Sequence, residues 1–167
     1  MSKKIIILLT LFIGVSLFIF SCGSSGPSEG YVKGEKQIME GWVDDDHFRV
    51  RAEGYWGEEE QGKPAVVRRN SAREAAKLLA QAQVIEKFVG FALQGAGMTK
   101  VSGEGAKGYI EKRFGGYIKG GSIVEEEWND KEGISIVYEV YSPGLKNQVT
   151  TIFKNLTPAE KKEIFGE

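Results

Sequence analysis

Polar and apolar positions alternate from His47 onward. In "HFRVRAEGYW" (47–56), Phe48, Val50 and Ala52 fall on one side and Arg49, Arg51 and Glu53 on the other. That two-residue period predicts a strand with one buried face. "GEEEQGKP" (57–64) breaks it and reads as an exposed loop, and "AVVRR" (65–69) reads as a short strand extension. The period then changes. Over 71–94, Ala75, Leu78, Ala82, Ile85, Val89 and Ala92 recur at helical spacing, with Ala76 and Leu79 widening the stripe. This predicts an amphipathic helix with Lys77, Gln81 and Lys87 outward. Ser71 followed by Glu74 forms a capping-box pattern at its start.

A glycine-rich stretch, "GAGMTKVSGEGAKG" (95–108), loosens the chain before "AKGYIEKRF" (106–114), a short helix expected to pack Tyr109, Ile110 and Phe114. Alternation returns at Ile134, Ile136, Tyr138 and Val140, opposite Ser135, Val137, Glu139 and Tyr141. With "SIVEEEW" before it and "NDKEG" between, this predicts an antiparallel hairpin. "LKNQVTTIFKNL" (145–156) predicts a helix. Thr157-Pro158-Ala159-Glu160 then starts another, with Pro at the first helical position. The order β-α-(short α)-β-β-α predicts an α+β domain, a small antiparallel sheet with one long Ala-rich helix packed across it.

The N-terminal segment has a different pattern. Lys3 and Lys4 precede a run, Ile5 to Phe20, that is apolar apart from Thr10, Gly14 and Ser16. As a helix, at about 1.5 Å per residue, it would reach roughly 24 Å, short of a hydrocarbon core of about 30 Å. A basic start, a short greasy stretch and a small residue at its end describe an export signal over 1–21. It ends Ile19-Phe20-Ser21-Cys22, at the only cysteine in the chain. One cysteine forms no internal disulfide. It leaves a buried thiol, a reactive thiol or a modified residue. The "GSSGPSEG" that follows is flexible coil by composition, so 22–46 reads as a tether.

Composition narrows the function. The chain has 167 residues, 41% hydrophobic and 27% charged, with a formal net charge of −1. Removing the two positive charges of the first 21 residues leaves −3. A mildly acidic body argues against nucleic acid, which calls for a basic face. His47 beside Asp44, Asp45 and Asp46 raises a metal site. Three consecutive acids cannot all face one ion, so a solvated charge run is expected, as for Glu58–Glu60 and Glu125–Glu127. "GEGAKG" matches a dinucleotide-binding glycine pattern in letters but lacks the preceding strand. Asn155 begins a formal glycosylation sequon, read as chance. No catalytic, cofactor-binding or metal-binding residue is assigned.

Ile19-Phe20-Ser21-Cys22 resembles the bacterial lipobox, which implies diacylglyceryl transfer to Cys22, cleavage before it and acylation of the new amino terminus. Two or more chains anchor a protein stably where one does not. The absence of Asp directly after Cys22 leaves transport to the outer membrane allowed. The helix with Ala72, Arg73, Ala75 and Ala76, closing at Gly90, followed by Gly116, Ile118 and Gly120 before a β-hairpin, resembles the LPP-twenty lipoprotein family. That family comprises bacterial outer-membrane lipoproteins, flagellar basal-disk proteins among them. The resemblance covers roughly 47–141. The loop over 57–70 is longer than the family's usual connection. The resemblance implies a domain over 47–142 with a helical tail over 143–167, and no catalytic residues.

The expected function is a non-enzymatic envelope lipoprotein, with the periplasmic or the surface side left open. Its partners would be the membrane, through its lipid, and either further copies or other envelope proteins. A small-ligand module and a hydrolase are the alternatives.

Overall fold

A computed structural model describes residues 40–98, 103–129 and 133–166, which belong to one compact unit. Its elements are β1 (Gly41–Trp42), β2 (His47–Gly54), a 3-10 turn (Glu58–Glu60), α1 (Ala65–Gly95), α2 (Gly103–Lys119), β3 (Ser122–Trp128), β4 (Ile134–Tyr141), α3 (Leu145–Thr151) and α4 (Pro158–Phe165). The strands form one sheet, ordered β1-β2-β4-β3, with every neighbour antiparallel. The α+β architecture and the long helix across the sheet are as expected from the sequence.

The inner face of the sheet is built by the alternation. Phe48 sits opposite Val140, Val50 opposite Tyr138 and Ala52 opposite Ile136, all of them buried. On the outer face Arg49 donates to Glu139 across the same two strands at 2.7 Å. Val137 is on that face too, yet only 2% exposed, between its neighbours Arg51 and Glu125. Long side chains cover apolar surface with their stems while their charges stay in water.

Helix α1 departs from the sequence reading in its bounds and its phase. It starts at Ala65, directly after Pro64, and includes the "AVVRR" read as strand. Ser71 and Glu74 therefore lie inside it rather than at its cap. Pro64 supplies a ready start, since its ring fixes φ and it has no N–H to satisfy. The helix also runs through Gly90. It ends in a Schellman arrangement in which Gly97 (φ +71) donates to Gln94 O and Met98 donates to Leu93 O. Its buried row is Ala72, Ala76, Ala80, Val84, Phe88 and Ala92, a strict four-residue spacing. Leu78 and Leu79, expected inward, are 65% and 51% exposed, and Ala82 is exposed. Gln81, expected outward, reaches the Tyr138 hydroxyl at 3.2 Å.

A four-residue row is the ridge along which helices pack into one another's grooves. Helix α2 carries the same spacing in Ala106, Ile110, Phe114 and Ile118, all buried. Phe114 meets Phe88 edge-on at 5.7 Å. This helix starts earlier and ends later than the short segment expected at 106–114.

The two ends of the described unit join the same core. Trp42 stacks on Phe88 at 5.8 Å, so Gly41–Trp42, within the stretch expected as tether, belong to the folded unit. In the tail, Leu145, Val149, Phe153, Leu156, Ile164 and Phe165 are core residues, and Phe153 meets Phe165 edge-on at 5.3 Å. The helix start at Thr157, with Pro158 first, is where the sequence predicts it; it is closed by a capping box, with Glu160 Oε2 accepting from the Thr157 N–H at 2.8 Å.

Candidate functional site

The Asp44–His47 segment is a turn rather than a ligand set. Asp44 Oδ1 accepts from the backbone N–H groups of Asp46 (2.8 Å) and His47 (2.7 Å), and its carboxylate also meets His47 Nδ1 at 2.9 Å. The Asp46 N–H, with the His47 side chain next, holds the Asp44 carboxyl below its ordinary range. Asp45 points to Lys146 (3.5 Å), and Asp46 Oδ1 accepts from the Gly144 N–H (2.7 Å). The three acids thus face three ways and tie the β1–β2 turn to the start of α3. Among the described residues no cluster of His, Cys, Asp and Glu could hold a metal ion.

The other charge runs are partly engaged. Arg73 of α1 pairs with Glu126 at 2.5 Å, and Arg69 lies over the Trp128 ring at 5.5 Å. Arg68 lies over Trp56 at 5.6 Å. These arms reach from α1 to the outer strand and loops, and sequence reading missed them because they join residues far apart in the chain. Lys63 pairs with Glu60 at 3.1 Å.

The glycine pattern "GEGAKG" opens α2, but the described element before it is a helix, α1. A Cβ at Gly105 would run into the backbone of Ile164, so this glycine serves helix packing. Of the residues matched to the LPP-twenty pattern, Ala72 and Ala76 face the sheet, Arg73 reaches β3, and Ala75 is half-buried. Gly116 and Ile118 lie in α2, Gly120 just after it.

Two clefts adjoin α1. One, of about 160 Å³, is lined by Arg73, Glu74, Lys77, Gly121, Ile123 and Tyr138. The other is a shallow groove of about 420 Å³ around Gly90 and Phe91. The smaller cleft gathers an arginine, a lysine, a glutamate and a tyrosine, and the larger is lined by residues of α1 alone. The most distinctive surface is the outer side of α1, where Leu78 and Leu79 stand exposed. Among the described residues the sheet has two edges: β3, whose residues are exposed apart from the half-buried Ile123, and the two-residue β1, which pairs only with the start of β2.

No protein-family model, curated protein or solved structure matches this chain. Cys22 lies outside the described residues. Among the described residues, no helix is long and apolar enough to cross a membrane.

Proposed function

We propose that this chain is a bacterial envelope lipoprotein of the LPP-twenty type. Acylated Cys22 anchors it, and its folded domain acts as a structural part that self-associates or docks on another envelope protein. The observation that carries the anchor is the seam at Ile19-Phe20-Ser21-Cys22. There a basic-led apolar run too short to span a bilayer ends on the only cysteine, followed by Gly/Ser-rich chain. A thiol at that seam of the sequence is well placed for acyl transfer. The docking role is supported by two adjacent exposed leucines on α1 and by the open strand edge at β3. The outer membrane is the proposed location.

The test is metabolic labelling with palmitate. The native chain incorporates label, and Cys22→Ser incorporates none and accumulates as precursor. Label retained by Cys22→Ser would reject the anchor.

A further inference from the structure

Helix α1 carries two apolar rows, and the fold uses one. The buried row takes every fourth residue. The second is formed by Ala75, Leu78, Leu79 and Ala82 with the polar Ser71 and Glu86 at its ends; Ser71, Ala75, Leu78, Ala82 and Ala75, Leu79, Ala82, Glu86 are each spaced four, three, four. At 100° per residue these six fall within an arc of about 100°. Leu78 and Leu79 are mostly exposed, Ala82 and Glu86 are exposed, and Ser71 and Ala75 are half-buried. A three–four spacing is what one helix presents to another.

We propose that this row is the contact between two copies of the chain, crossing antiparallel about a two-fold axis between Leu78 and Leu79. The proposal deepens the assembly reading above and rests on it. The row is self-complementary about that axis. Leu78 meets Leu79 of the second copy at the centre. Ala75 meets Ala82 on either side, where small side chains let the helices approach. Ser71 meets Glu86 at each end, hydroxyl donating to carboxylate, so an apolar centre has a polar rim.

Charge selects this arrangement. Antiparallel pairing brings Glu86 within one turn of Arg68 of the other copy, twice; Arg68, held over Trp56 and donating to the Lys63 carbonyl, acts there as a fixed positive charge. Parallel pairing would set Glu86 on Glu86 and Arg68 on Arg68, like against like. One alternative self-contact, edge to edge along β3, would bring Glu125 and Glu127 against the same acids, Glu126 being paired with Arg73. From Ser71 to Glu86 the contact is roughly 24 Å long. Such a short seam binds modestly by itself. Copies tethered to one membrane meet at a much higher effective concentration, which is where a weak two-fold contact becomes populated.

Cross-linking of the full chain in its own membranes tests this. Chains carrying Ser71→Cys and chains carrying Glu86→Cys are expressed together or separately and treated with a short bismaleimide. The expected result is a cross-linked pair only on co-expression, with each single variant at the level of the parent chain. In a second arm, Leu78→Asp weakens the association at least about tenfold while its thermal unfolding stays near that of the parent. Self-cross-linking by Ser71→Cys alone would overturn the antiparallel geometry. Unchanged association of Leu78→Asp, by sedimentation in detergent, would overturn the seam and leave the assembly reading standing. A parent chain that is monomeric and captures no envelope protein would overturn both.

Discussion

Gly54, at the end of β2, lies directly against the backbone of α1: a Cβ placed on it would sit 2.8 Å from the Cα of Ala76. Sheet and helix touch main chain to main chain there, which is why the facing residues of α1 are Ala72 and Ala76. Gly54→Ala is expected to destabilise the domain by about 1–3 kcal/mol, since backbone rather than a flexible side chain must give way. Gly90→Ala is expected to have the opposite sign. Gly90 is inside α1 with open space around it, so Ala should stabilise by about 0.5–1 kcal/mol through helix propensity. Chemical denaturation of the two variants checks both.

The phase of α1 is testable by charge insertion. Val84 is fully buried, and Val84→Asp should unfold the domain, because burying an unpaired carboxylate costs several kcal/mol against a total of about 5–15. Leu78→Asp should change folding stability by only about 0.5 kcal/mol. Equal melting temperatures for the two would show that the buried row is misassigned.

The Tyr138 hydroxyl donates to the carbonyl of Ile118 at 2.6 Å and accepts from Gln81, linking β4 to the end of α2 and the middle of α1. Tyr138→Phe leaves that carbonyl without this donor. The expected loss is about 1–3 kcal/mol, read from the denaturant midpoint. Gln81→Ala should cost less, because it removes the longer and less buried bond.

Acid should loosen α4. The Thr157 hydroxyl, and then the Thr157 N–H, hold the Glu160 carboxyl below its ordinary 4.5. A depressed carboxyl contributes stability that is complete above its unfolded pKa and is lost as pH falls through the folded one. The contribution is therefore present at neutral pH and disappears going down from 4.5. Glu160→Gln retains the capping geometry without the titration. Its melting temperature should fall less steeply than the parent's over that acid range.

The elements with a two-residue period were legible in the sequence: Phe48, Val50 and Ala52, and the run from Ile134 to Val140, face where alternation puts them. Thr157 was legible because a capping box is a local signal. The phase of α1 was not, because alanines serve both rows and spacing by itself does not say which one the sheet takes. One signal was available. Val84 and Phe88 fall in the four-residue row, and α2 repeats that spacing at Ala106, Ile110, Phe114 and Ile118. The start of α1 was misread because Ser71 and Glu74 form a sound local pattern, while Pro64 supplies a start further upstream. The pairs Arg73–Glu126 and Arg69–Trp128 depend on tertiary proximity, which no local spacing encodes.

The anchor is the claim on which the functional reading depends, and the mass of the mature chain tests it most directly. Protein extracted from its native membranes should begin at Cys22, lack residues 1–21, and carry the added mass of a diacylglyceryl group with or without an amide-linked acyl chain. Tandem fragmentation should place that mass on Cys22. A chain that retains Met1 with an unmodified thiol, or one cleaved elsewhere and free of lipid, would contradict the anchor and the envelope assignment with it.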